Sequence, residues 1–120
     1  MVTIELDKVR HLHFDLRAIK DLEATMNGQP LGAIVGQLSQ LGVTAITVAL
    51  WAGLKHEDRG MTPNLATKLL ESYLADKKSL RALGRALSDA IDECGIFNPE
   101  DEDEPARGNA TTTTGTTTGN

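Results

Sequence analysis

The segment Val43–Leu54 constrains this chain more than any other. Read as a helix, it spreads Ile46, Val48, Ala49, Leu50, Trp51 and Leu54 around much of its surface instead of along one stripe. A helix that is apolar nearly all round has to be buried centrally or covered by another subunit. It is too short to cross a bilayer, and Thr44, Thr47 and Gly53 interrupt its hydropathy. We therefore expect a core helix, capped by Thr44 and running to about His56, with the rest of the chain wrapped around it.

The flanking sequence supplies the wrapping. Val2-Thr3-Ile4-Glu5-Leu6 alternates apolar and polar residues, Asp7-Lys8 can turn the chain, and Val9 to Phe14 can return as a second strand. Asp15 then has the chemistry of an N-cap, with Leu16, Ile19, Leu22 and Met26 at helical spacing and Asn27-Gly28 as a left-handed stop. Leu31, Ile34, Val35, Leu38 and Leu41 mark a second helix ended by Gly42, and Gly32 and Gly36 would let it approach a neighbour closely. Beyond the core helix, His56 to Gly60 reads as a polar loop. Thr62-Pro63 opens a fourth helix carrying Leu65, Leu69, Leu70, Tyr73 and Leu74. Ser79 opens a fifth, with Leu80, Leu83, Leu87, Ala90, Ile91 and Cys94 inward, Arg81 and Arg85 outward, and Gly95 as the stop.

After Phe97 the character changes. Glu100 to Glu104 is an unbroken acidic run, and Thr and Gly dominate from Ala106 to Asn120. Such a segment buries too little apolar surface to offset its chain entropy, about 1–2 kcal/mol per residue. The predicted architecture is mainly α: an N-terminal β-hairpin and about five short helices in a compact bundle over residues 1–97, then a disordered acidic and Thr/Gly-rich tail over 98–120. A body of that size is marginal alone, so a partner or self-association is a natural source of further stability.

Charge narrows the partners. Of the formal −5, the body carries 11 Lys/Arg against 12 Asp/Glu, and the tail one Arg against five acids. A near-neutral body with no basic cluster beyond Lys77-Lys78 argues against nucleic acid, which needs a face that neutralises phosphates. A single cysteine, Cys94, allows no internal disulfide and fits a reducing compartment. The opening residues have an acid, Glu5, where a signal peptide would lead with basic residues. The expectation is a soluble, cytosolic protein.

Candidate chemistry is sparse. His56-Glu57-Asp58 lacks the second histidine one turn on that a helical zinc motif needs, since Gly60 stands there. His11 and His13 lie two apart on a strand and read as its solvent face. Ile91, Asp92 and Glu93 before Cys94 offer nothing that lowers a thiol pKa. Gly28, Gly32 and Gly36 do not have the spacing of a phosphate loop. Trp51 is either a core residue or an interface anchor of the kind enriched at binding hot spots. No catalytic, cofactor or metal residues are expected.

The order of features resembles a known group. Leu12-His13-Phe14-Asp15-Leu16-Arg17-Ala18-Ile19 followed by Leu22-Glu23, the Leu31-Gly32 helix start, Leu50-Trp51-Ala52-Gly53-Leu54-Lys55-His56-Glu57-Asp58 and the Thr62-Pro63 helix carry the likeness. Over roughly residues 2–94 the chain resembles the small tail-cluster proteins of siphophages and gene transfer agents, the tail tube or tail assembly chaperone proteins. The resemblance implies a non-enzymatic role in the host cytoplasm: binding the tape measure protein, keeping its apolar surfaces soluble, and recruiting tail tube subunits around it. It also implies absence from the finished particle. The Thr/Gly tail has no counterpart in that group.

An aliphatic groove near Leu50, Trp51 and Leu54 would suit a helical client, laid in by its apolar stripe. Two other readings stand beside this one. A structural component of the virion, tail tube or tail-completion, would need a more extensive sheet than one hairpin. A small helix-turn-helix regulator would need a basic reading helix, and the Gly60-Met61-Thr62-Pro63 connection gives it little support.

Overall fold

The computed structural model describes residues 1–96, so the tail expected to be disordered over 98–120, and Phe97 before it, lie outside the described residues. The chain runs β1 (Val2–Glu5), β2 (Val9–Leu12), α1 (Leu16–Thr25), α2 (Leu31–Ser39), α3 (Val43–Leu54), α4 (Pro63–Ala75) and α5 (Leu80–Asp92). The hairpin and the five helices stand where the periodicities put them.

Helix α3 is the axis of the body. Nine of its twelve residues are buried, and it packs against α1, α2, α4, α5 and β2. Ile46, Leu50 and Leu54 have no exposed surface. Thr47 is buried as well, and it stays compatible with the core because its hydroxyl donates to the Val43 carbonyl at 2.8 Å. No single helix among the described residues is long and apolar enough to cross a membrane.

Side-chain caps define three helix starts as the sequence requires. Asp15 accepts from the Ala18 amide at 2.8 Å, Thr62 from Leu65 at 3.1 Å with Pro63 at the first helical position, and Ser79 from Ala82 at 3.0 Å. The start of α3 differs. Its cap position is Gly42, with no side chain to offer, and Thr44 lies inside the first turn.

The cause is the way α2 ends. The Gly42 amide reaches the Gln37 carbonyl at 2.8 Å and the Leu41 amide the Leu38 carbonyl at 3.1 Å, a Schellman closure with Leu41 left-handed at φ 63°. Glycine was expected at the left-handed position and sits one residue later. The closure leaves no spacer before α3, whose first residue is Val43. The same closure recurs with Asn27 after α1 and Lys77 after α4, both at positive φ.

Close helix approach also falls elsewhere than expected. A Cβ on Gly32 or Gly36 would meet nothing within 4 Å. The tight positions are Gly84 on α5, 3.2 Å from the Leu38 carbonyl, and Gly53 on α3, 2.9 Å from the Phe14 ring (distances to an added Cβ). Leu16, Leu65 and Leu74, assigned to apolar stripes, are substantially exposed, because each stripe is covered over only part of its width.

Candidate partner-binding surface

The segment after α3 is not a free loop. Its Lys55, His56, Glu57 and Asp58 side chains all reach back to the hairpin or to α1. Glu57 accepts from the His11 backbone amide at 2.9 Å and pairs with the His11 ring nitrogen Nδ1 at 3.2 Å. The His56 ring, carrying its proton on Nε2, donates to the His11 carbonyl at 2.8 Å and meets the His13 ring edge-on with centroids 5.5 Å apart. Both polar backbone groups of His11 on the outer edge of β2 are therefore occupied. Two residues on, the His13 amide donates to the Gly53 carbonyl at 3.0 Å.

Arg10 completes this junction from the inner face of the hairpin. It is buried to 6 % exposure, opposite Ile4 in the register, and forks onto Asp7 with bonds of 2.8 and 3.0 Å while Asp58 lies 3.6 Å away. A buried guanidinium needs such partners, since an uncompensated charge there is strongly destabilising. Lys55 pairs with Asp21 of α1 and lies over the Trp51 ring, 4.7 Å from its centroid. The polar string Lys55–Asp58 is thus a fastener joining hairpin, α1 and α3. Reading it as a solvated loop missed this, because nothing local in a sequence shows which distant backbone a side chain will meet.

Three carboxylates of this scaffold are held below their ordinary range. The His11 amide lowers Glu57, the Arg10 guanidinium lowers Asp7, and the Ala18 amide lowers Asp15. A carboxylate depressed in the folded state contributes stability that is present above its unfolded pKa and lost as pH falls through the lower folded value. The urea midpoint should therefore hold level from neutral pH to about pH 5 and fall below about pH 4. Glu57→Gln should flatten part of that fall; an unchanged acid limb would remove Glu57 from the account.

The residues expected around a client groove separate sharply. Leu50 and Leu54 are fully buried in the core, with no surface to present. Trp51 is half-buried beneath Lys55 and is the one member of the trio that a partner could touch. An all-round apolar helix has to be covered, and here the cover is this chain's own α1, α2, α4 and α5, which leaves Leu50 and Leu54 no groove to line.

Open clefts lie on both sides of the body. A polar one of about 520 Å³ is framed by Lys8, Arg10, His11, Glu57 and Asp58. Two lie at α5: one, between α5 and the end of α2, is flanked by Arg81 and Arg85 but also holds the Asp89 carboxylate, and one runs between β1 and α5, with a volume of about 410 Å³, the size range of small-ligand and peptide pockets. Ile4, Tyr73 and Leu83 give it an apolar lining, Ala82 and Ala86 a low wall, and Lys78 stands at one end.

No metal-binding group of three His, Cys, Asp or Glu residues forms among the described residues. Compared with known proteins, the chain matches no family model, no curated protein and no solved structure. The likeness to tail-cluster proteins rests on the sequence phrases alone.

Proposed function

We propose that this chain is a non-enzymatic tail assembly chaperone of a long-tailed phage or gene transfer agent, acting in the host cytoplasm. Its clients on this reading are the tape measure protein and, through it, the tail tube subunits. One observation carries the reading. The two phrases behind the resemblance, Leu12–Ile19 and Leu50–Asp58, meet in space as one unit: Gly53 receives Phe14 and Leu12, and Glu57 and His56 hold His11 just before them. Two short phrases that pack on each other are one folding signature, which makes their joint likeness weightier than either alone.

A virion tube component fits less well, because ring-forming subunits need sheet edges to share and the described residues hold a single two-stranded sheet. A DNA-reading role fits less well too. The chain turns by 117° between α2 and α3 across a three-residue link, an angle that helix-turn-helix units use. On that turn the reading helix would be α3, which has no charged residue and nine of its twelve positions buried. On the Gly60-Met61-Thr62-Pro63 connection it would be α4, where one basic residue, Lys68, is matched by Glu71.

The test is co-expression with the tape measure protein of the same gene cluster, followed by mass spectrometry of purified particles. Soluble tape measure in complex with this chain, and none of the chain in particles, is the expected result. Stoichiometric presence in particles would overturn it.

A further inference from the structure

The hairpin has one closed edge and one open one. The His11 amide donates to Glu57 and its carbonyl accepts from His56, both on the side away from β1, so His11 and its register partner Thr3 are a non-hydrogen-bonded pair. The amides and carbonyls of Thr3 and Glu5 therefore point away from β2, beside the cleft that α5 borders. Among the described residues a single hydrogen bond reaches this edge, from Lys78 Nζ to the Glu5 carbonyl at 3.4 Å. Strand groups in register with so little covering them are a template for a further strand.

The charges of α5 say which strand. Lys77, Lys78 and Arg81 stand at its start and Asp89, Asp92 and Glu93 at its end, with no acid in the first turn and no base in the last. Every one of these charges lies at the unfavourable end of the helix macrodipole. An antiparallel copy of the same helix turns that pattern to advantage, because it sets each end against its opposite. The direction of α5 is tied to that of β1: the Met1 amino group pairs with Glu93 at 3.0 Å, while Glu5 meets Lys78 at the other end. Pairing two β1 strands antiparallel therefore brings two α5 helices antiparallel as well.

We propose that the open edge is occupied by a second copy of the chain, β1 pairing antiparallel with β1 about a two-fold axis at Ile4. In that register Thr3 of each copy stands opposite Glu5 of the other, and every outward amide and carbonyl of both residues is bonded. A shift of two residues one way sets Glu5 opposite Glu5, like charges face to face. A shift the other way sends Glu5 to a chain end already tied to Glu93. The half-buried Ile4 meets its own copy at the axis. Lys78 of each copy is carried to the turn of α5 that bears Asp89 and Glu93 in the other, and Ala82 and Ala86 leave room between the helices. Assembly stops at two, because the interface is isologous and both outer edges of the four-stranded sheet are closed at His11.

The test is sedimentation equilibrium of the full 120-residue chain in a dilution series, with amide hydrogen exchange measured at both ends of it. Twice the chain mass is expected at the concentrated end. The Thr3 and Glu5 amides should be about tenfold or more better protected there than in the dilute chain, with the core amides of α3 unchanged. Thr3→Pro removes an outward donor and no bond of the hairpin, and should weaken association by about tenfold or more. Raised salt should weaken it as well. Lys78→Glu and Asp89→Lys should each weaken self-association, and an equimolar mixture of the two should restore it, since every mixed pair joins opposite charges at both ends. That mixture decides the matter even if Thr3→Pro does not fold, and no gain on mixing would overturn the proposal. A single-chain mass up to about 1 mM would overturn it too. So would a dimer whose Thr3 and Glu5 amides exchange as fast as in the dilute chain, which would place the interface elsewhere.

Discussion

Leu50→Ala is expected to lower the free energy of unfolding by about 2–5 kcal/mol, the range for emptying a fully enclosed leucine site. Leu50 has no exposed surface, and α3 is braced by helices on several sides, so its surroundings have little freedom to collapse into the void. For a body of this size the whole folding free energy is about 5–10 kcal/mol. The variant should therefore unfold at a much lower urea concentration with an unchanged slope. Leu54→Ala should behave alike. Trp51→Ala should cost only about 1–2 kcal/mol, since part of its ring remains in water under Lys55. The three variants together separate folding from binding: a client that releases Trp51→Ala while the fold stays intact marks a contact, whereas loss of client by Leu50→Ala reports a melted core. A Leu50→Ala midpoint equal to the parent's would contradict the central placement of α3.

What the sequence showed about this fold, and what it hid, divides along a physical line. Elements set by local rules were legible. Asp15, Thr62 and Ser79 each satisfy the orphan amides of the helix that follows, and apolar periodicity placed all five helices. The all-round apolar character of Val43–Leu54 was enough to put it at the centre. Features that depend on what comes near from afar were not legible. Leu41 takes the left-handed position that closes α2, with its half-buried side chain directed toward Gly84 of α5, 43 residues away in sequence. Expecting glycine there was sound locally and misplaced the stop by one residue.

The candidate site follows the same division. Trp51 has the chemistry of an anchor and Leu50 and Leu54 flank it along the helix, but a helix apolar all round buries such neighbours, as both leucines are. The polar string after α3 was undervalued for the opposite reason. Charged residues after a helix end are usually solvated, and only the folded chain reveals that β2 passes within reach of Glu57 and His56. The β1–α5 groove left a faint trace: two alanines four apart on α5, Ala82 and Ala86, beside a strand with an unguarded edge. Small residues at that spacing mean little until a strand is known to lie alongside.

The glycines offer the sharpest single comparison, because the same substitution should act with opposite signs at two helical sites. In a helix interior, alanine is favoured over glycine by about 1 kcal/mol. At Gly36 an added methyl meets nothing within 4 Å, so Gly36→Ala should raise stability by up to about that amount. At Gly53 the methyl would lie 2.9 and 3.0 Å from two carbons of the Phe14 ring and 3.1 Å from Leu12 Cδ2. Neither neighbour can swing aside, because Phe14 is 2 % exposed and Leu12 fully buried. Overpacking of this kind costs about 1–3 kcal/mol, which exceeds the gain in helix propensity. The damage should also spread, since displacing Phe14 pulls on the His13–Gly53 hydrogen bond and so on the attachment of the hairpin. Gly53→Ala should therefore lower the thermal midpoint while Gly36→Ala raises it, measured side by side by circular dichroism. Phe14→Leu, which removes the two ring carbons nearest the new methyl, should cost less in the Gly53→Ala background than in the parent chain. If Gly53→Ala instead stabilises the protein, the packing of Phe14 on α3 described above is wrong, and with it the junction that joins the two sequence phrases.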